Sequence, residues 1–459
     1  MSRNGQGQYQ MAENMNASAA EQQYTGRQIV LFKEREDESE VECTKRMKAA
    51  LSDCAGIRDM VFARDFSLES YGADKAEASE ATVLENLGIA IVSHDGELAQ
   101  SLSLASRDED SEIEAVIPEK YDFLKQDPIG EMAWETGVSE LEAPPQLNPA
   151  GIKRLYDVLK LLSQLSDALA PVEEQHAQLE AAACYADTAA ATWGLRATRV
   201  LESRYSGRGV RVAVLDTGID LNHRDFVGRR IVAQSFVPGV SVQDVSGHGT
   251  HCIGTACGTR QPASGPRYGI AYNSLIYALK VFNNAPRPTA RRGDILTAMD
   301  FAVRAGCRVI SMSLGSDTNG QVDQEYERAI ARARRAGALV VAAAGNAGQL
   351  RTGSPANSPS ATSVAALDSC LRRAEFSSFG KVEIAGPGVG VLSSTPGNRT
   401  DRYSGTSMAT PHVAGIAALW LEAAPRLTAD QLERRLQQTA RQLSQPASYV
   451  GAGLVQAPV

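Results

Sequence analysis

Short apolar runs recur along the second half of the chain, separated by stretches with helical spacing. Val212-Ala213-Val214-Leu215 and the segments 275–282, 308–313 and 339–344 are rich in apolar and β-branched residues, the pattern of strands buried on both faces. The intervening segments 247–257, 292–305 and 322–336 carry apolar residues at helical intervals. Strand and helix alternating in this way predict an α/β fold, a parallel sheet with helices on both faces. Such sheets bind ligands outside the carboxyl ends of their strands. Asp216, Ser313-Leu314-Gly315 and Gly345-Asn346 occupy such ends.

The first 124 residues are patterned differently. Strands are expected at 28–32, 57–62, 87–92 and 113–117, with helices at 38–54 and 95–104. That is the strand-helix-strand-strand-helix-strand order of a small ferredoxin-like α+β domain spanning 26–124. Residues 1–25 are rich in Gln, Asn, Ala and Gly and lack an apolar core, so they read as a disordered tail without a secretory signal. Within 125–185, the Pro-, Glu- and Gly-rich stretch 127–149 reads as an extended linker. Residues 151–170 form an amphipathic helical pattern with Ile152, Leu155, Val158, Leu159, Leu162 and Leu165 on one side. A second helical piece is expected at 172–185. These helices pack on a neighbouring domain or, alternatively, cover a groove or hold a partner. The α/β domain then occupies 186–459.

Composition narrows the classes. At 459 residues the chain is too long for one average domain. A formal net charge of −8 disfavours a nucleic-acid partner, and no apolar run approaches the ~20 residues of a membrane span. Seven cysteines, an odd number without pattern, do not make a disulfide framework. The expectation is a reducing, cytoplasmic setting, or secretion if the N-terminus was trimmed.

Three glycine-flanked turns carry the chemistry. Asp216-Thr217-Gly218 ends an apolar run, and a carboxylate there needs a partner. Gly247-His248-Gly249-Thr250-His251-Cys252 supplies an imidazole, and Ser404-Gly405-Thr406-Ser407-Met408-Ala409-Thr410-Pro411 a hydroxyl. Taken singly, each has a bland reading as a strand-end turn or helix cap. Together, in the order Asp, His, Ser, they resemble the signature motifs of the subtilisin-like serine proteases, the subtilases, with the Gly-His-Gly-Thr-His-Cys variant similar to the proteinase K branch.

The resemblance implies a serine endopeptidase. Ser407 is then the nucleophile, His248 the base and Asp216 the residue that orients the imidazole. Asn346 matches the oxyanion-hole asparagine, with the Ser407 N–H as second donor. Ser313, Leu314 and Gly315 resemble the strip that pairs with an extended protein or peptide substrate. Gly353 falls where the family lines its P1 pocket, implying an apolar or aromatic preference. Residues 26–124 resemble an inhibitory propeptide, making the chain's own N-terminal domain an intramolecular inhibitor, with autoprocessing near 121–126 or before Thr188. No cofactor is required on this reading. Calcium, common in subtilases, stays unassigned because no acidic loop has ligand spacing.

Competing readings remain at this stage. One is a catalytically silent peptide-binding scaffold, another an intracellular protease devoted to one partner. The spacing of His248 and His251 does not fit a zincin, so His251 and His412 read as structural. His94, His176 and His223 read as surface residues, and Cys252 as a buried thiol rather than a nucleophile.

Overall fold

The computed structural model describes residues 24–35, 38–66, 72–93, 96–124, 184–318 and 320–459. Residues 1–23 of the expected tail, the 127–149 linker, the 151–170 helix and residues 172–183 of the second helical piece lie outside these residues, as do His94 and His176; Tyr24 and Thr25, expected in the tail, are part of the first strand.

The N-terminal module runs β1 (Tyr24–Phe32), α1 (Glu40–Ala55), β2 (Met60–Phe62), α2 (Ala73–Ala78), β3 (Ala81–Leu84), β4 (Ile89–Val92), α3 (Gly96–Ala105) and β5 (Ile113–Leu124). Its strands lie in the order β5-β1-β4-β3-β2. Helix α1 starts at a capping box, in which Ser39 Oγ accepts from Glu42 N and the Glu42 carboxylate accepts from Ser39 N. It stops at Gly56, whose φ of +67° suits the left-handed cap. Two details differ from expectation. The second strand of the ferredoxin-like core is β3, with β2 an extra edge strand parallel to it. Strand β5 runs to Leu124, seven residues beyond the expected end at Ile117.

Strand alternation gives this sheet two different faces. Val30 and Phe32 pack with Met47 and Leu51 of α1, inside the module. Ile29, Leu31, Ile89 and Ile91 face the other way, into a core shared with the C-terminal domain. Fully burying each such side chain is worth roughly 1.5–3 kcal/mol, so this face is built to be covered.

The C-terminal domain contains α4 (Trp193–Ala197), β6 (Arg211–Asp216), β7 (Ile231–Ser235), α5 (His248–Cys257), β8 (Leu275–Lys280), β9 (Thr289–Arg291), α6 (Arg292–Arg304), β10 (Val309–Met312), β11 (Leu314–Gly315) and α7 (Gln324–Arg335). It continues through β12 (Leu339–Ala343), β13 (Thr362–Leu367), β14 (Ile384–Pro387), the β15 (Val391–Thr395) and β16 (Arg399–Tyr403) hairpin, α8 (Thr406–Ala423), α9 (Ala429–Thr439) and α10 (Ala447–Val450). Seven parallel strands lie in the order β14-β13-β12-β10-β6-β8-β7. Val212 and Val214 of β6 face α5 and α8, whereas Ala213 and Leu215 face α6 and α7. Helices therefore cover both faces. Two short strands of the C-terminal domain, β11 and β9, add to the N-terminal sheet rather than to the parallel one, each pairing antiparallel with β5.

Cysteine usage also departs from expectation, since Cys184 and Cys370 form a disulfide. The partners are 186 residues apart, a distance at which no spacing pattern would announce the pair.

Candidate active site

Asp216 closes β6 at its carboxyl end, and His248 opens α5. Their approach depends on Gly249, where a Cβ would come within 2.3 Å of the Gly218 carbonyl oxygen. Asp216 Oδ1 accepts from the Thr217 N–H at 2.7 Å and from His248 Nδ1 at 2.7 Å. A proton on Nδ1 leaves Nε2 as the free base, and Nε2 has no hydrogen-bond partner. Both side chains are buried. Burial alone would pull the His248 pKa down, but the Asp216 carboxylate, helped by Cys252, outweighs it and holds the imidazole well above 6.5.

Ser407 is the second residue of α8. A Cβ on Gly415 would meet the Ala256 carbonyl oxygen at 2.7 Å, so α8 and α5 pack at a separation only glycine allows. That packing brings the hydroxyl helix against the imidazole helix. Ser407 Oγ donates to the Ser313 carbonyl at 3.1 Å, and Ser313 Oγ donates to the Ser407 carbonyl at 2.9 Å. Cys252, one turn along α5 from His248, lies with Sγ 3.8 Å from His248 Nδ1 and 3.5 Å from the Ser407 carbonyl oxygen. Desolvation pushes its thiol up to about 11, so it is uncharged at neutral pH.

Asn346 lies just past β12. Its Oδ1 accepts from Thr406 N at 2.9 Å and Thr406 Oγ1 at 2.8 Å. Two donors on one oxygen fix the amide orientation, which turns its NH₂ the other way. Thr406 Oγ1 itself accepts from Gly345 N at 3.2 Å, tying the residue before Ser407 to the residue before Asn346.

Leu314 and Gly315 form β11, pairing with Leu124 and Phe123 of β5. Ser313 precedes them on the side of Ser407. Gly353 donates to the Ala344 carbonyl at 3.0 Å, close in the chain to Asn346 and next to Ser354, which bridges to Ser316 just beyond the strip. All eight residues singled out in the sequence thus lie at the C-terminal side of the central strands. Sequence reasoning missed the opposite wall, β9, which flanks β5 through Tyr121↔Arg291, Asp122↔Ala290 and Phe123↔Thr289. It also missed Thr406 as the anchor of Asn346, although its place inside the Ser-Gly-Thr-Ser motif was a usable signal.

The other described histidines are structural. His251 Nε2 meets the Val391 carbonyl at 2.9 Å, its ring stacks on Tyr403, and burial pushes its pKa down to about 3. His412 Nδ1 meets the Met408 carbonyl at 2.8 Å, with a pKa lowered by burial to about 4. His223 is not on the surface: it is buried, with Nε2 2.9 Å from the Arg399 carbonyl. Among the described residues, one group has metal-ligand atoms within 4.8 Å of one another, namely Asp216, His248 and Cys252. One oxygen with a nitrogen and a sulfur does not suit calcium, which takes oxygen ligands.

Residues 207–453 match the family model described as the subtilase family. The chain belongs to the subtilase family. Subtilisin DY of Bacillus licheniformis is 39% identical over 267 residues, covering 57% of this chain and 94% of its own length. Alkaline elastase YaB of Bacillus sp. (strain YaB) is 35% identical over 353 residues, covering 74% of this chain and 90% of its own. Among solved structures, a cold adapted subtilisin-like serine proteinase shares 29% identity at a TM-score of 0.51, covering 59% of this chain and 99% of that one. Sphericase shares 32% at a TM-score of 0.52, covering 58% and 98%. This subtilase is a serine endopeptidase on a subtilisin-like α/β fold.

Proposed function

We propose that Asp216, His248 and Ser407 form the catalytic triad, with Asn346 as the oxyanion donor. His248 Nε2 takes the proton from Ser407 Oγ as the oxygen attacks the peptide carbonyl, then returns it to the departing amine. Asp216 holds the ring in the tautomer that leaves Nε2 basic. The Asn346 NH₂ and the Ser407 N–H receive the charge that develops on the carbonyl oxygen. Water, activated by the same imidazole, releases the acyl group. The 2.7 Å bond between Asp216 and His248, beside the first turn of the serine helix, carries this reading. A catalytically silent scaffold would have no use for it.

The substrate strip is Ser313, Leu314 and Gly315, with Gly353 lining the pocket for the side chain before the cut. The N-terminal module is an intramolecular inhibitor. Its support is β5, which lies along that strip as an extended strand, paired on one side with β11 and on the other with β9. Buried charges reinforce the docking. Glu119 accepts from Gly293 N at 2.6 Å, at the start of α6, and from Arg27 Nη2 at 2.6 Å. The match to alkaline elastase YaB is longer than the catalytic domain itself and so extends into N-terminal sequence.

Leu124 pairs with Leu314, and the residue before Leu314 in the strip, Ser313, has its carbonyl bonded to Ser407, so β5 leads toward the proposed nucleophile. The cut we propose is the Lys125–Gln126 bond. Intact-mass spectrometry of wild type and Ser407→Ala tests it: two fragments are expected from wild type and one full-length species from the variant. Intact, fully active wild type would contradict both processing and inhibition. The Cys184–Cys370 bond supports an oxidising compartment in place of the cytoplasmic setting; five titratable thiols in unfolded, unreduced protein are expected, and seven would contradict it.

A further inference from the structure

Strand β5 sends two fully buried carboxylates into the catalytic domain, Glu119 and, nearer the strand's end, Asp122. Asp122 Oδ2 accepts from Arg292 Nε at 3.0 Å and from the Tyr326 hydroxyl at 2.8 Å, and Oδ1 accepts from Arg292 Nη2 at 3.2 Å. Both Arg292 and Tyr326 are themselves buried, with the guanidinium 4.8 Å from the centre of the Tyr326 ring. The other edge of the guanidinium is already engaged by acids of the catalytic domain: Nη1 bonds Glu325 and lies 3.1 Å from Asp323 Oδ2. Arg292 is therefore held by its own domain on one edge and offers the second edge, together with a hydroxyl, to whatever lies on the strip.

We propose that the slot filled by Asp122 is a substrate subsite selective for an acidic side chain, with Arg292 and Tyr326 as its specificity determinants. The inference rests on β5 following the path of a substrate. Asp122 is opposite Ala290, two residues before Leu124, and its side chain points inward while its neighbour Phe123 points to solvent. A substrate in the same register places the fourth residue before the scissile bond in this slot. Once β5 has gone, Arg292 Nε, Arg292 Nη2 and the Tyr326 hydroxyl lose their acceptor; among the described residues only a long 3.5 Å contact from Nη2 to Ser316 Oγ remains. An apolar side chain entering would seal three donors away from water unpaired, a penalty of about 1–3 kcal/mol for each group. A carboxylate satisfies all three with charge-assisted bonds. Asp323 and Glu325 leave the surroundings net negative, so selection comes from donor geometry rather than from long-range attraction. That favours Asp over Asn, which presents an N–H₂ to a site made of donors.

The test is a peptide series varied only at the fourth position before the cut, given to the full-length protein after it has processed itself. Aspartate is expected to exceed leucine, phenylalanine and asparagine by at least about tenfold in kcat/KM. The Asp-to-Leu ratio should collapse in Arg292→Gln and fall by less in Tyr326→Phe, a readout independent of how much active enzyme each preparation contains. Cleavage with an apolar or flat preference in wild type overturns the subsite while leaving the endopeptidase intact. Failure to cleave any member overturns the substrate path itself and the subsite with it. An unchanged ratio in Tyr326→Phe and in folded Arg292→Gln also overturns it.

Discussion

His248 Nδ1 and Asp216 Oδ1 lie 2.7 Å apart in a pocket where neither side chain meets solvent. The ion pair formed when His248 is protonated has no competition from water, which explains why its pKa stays well above 6.5 despite burial. Protonated His248 stabilises the fold below pH 6.5, and that contribution fades as pH rises through the raised value. Catalysis needs the opposite form. The acidic limb of kcat/KM should therefore have its midpoint above 6.5, measured with a neutral peptide ester; a midpoint at or below 6 contradicts this electrostatic account.

Asn346 has its amide oxygen fixed by Thr406. Asn346→Ala should lower kcat by about 10²–10³ with little change in KM, the cost of losing the equivalent donor in subtilisin, a relative. Thr406→Val, which removes the hydroxyl but not the backbone donor, should cost less. Steady-state kinetics on a short peptide distinguishes these from a loss of binding, which would raise KM instead.

Cys252 is close enough to His248 to invite a thiol mechanism, yet its pKa is pushed up to about 11. Cys252→Ala should retain kcat/KM within about tenfold, whereas Ser407→Ala should lose on the order of 10⁶, as removal of the nucleophile does in subtilisin. Comparable losses in both variants would restore the cysteine as a participant.

Docking of the N-terminal module should weaken with rising pH. Asp300 on α6 is buried beneath the module and accepts from Asn86 N at 3.1 Å and Asn86 Nδ2 at 3.2 Å. Burial, and then the nearby Glu85, push its carboxyl from 3.8 up to about 7. Burial raises Glu85 and Asp294 in the same direction, against the pull of Arg64 on the first and of Arg27 and Arg291 on the second. A carboxyl raised in the docked state stabilises that state fully below its free pKa and loses the contribution as pH climbs from 3.8 to about 7. The processed halves should separate faster at about pH 8 than at about pH 5, and Asp300→Asn should flatten the difference. Equal dissociation rates at both values count against the interface as described.

The residues proposed as the triad were legible in the sequence because each sits in a short motif where an apolar run breaks at a glycine-flanked polar residue. Local pattern reached Asp216, His248 and Ser407 for that reason. It failed where a residue's environment comes from elsewhere in the chain. The expected strand stopped at Ile117, short of Glu119 and Asp122, whose partners Gly293, Arg292 and Tyr326 belong to another domain. Strand β3 has only four residues, Ala81–Leu84, behind a polar stretch, too short to show alternation. His223 reads as a surface residue because nothing local predicts that the Arg399 carbonyl covers it.

Labelling with a fluorophosphonate tests the central claim most directly. Wild-type protein, after processing, should be modified once, with peptide mapping placing the adduct on Ser407, and should lose its endopeptidase activity in proportion. Ser407→Ala should take no label and His248→Ala very little. An adduct on a different serine, or full peptide cleavage by Ser407→Ala, would contradict the account.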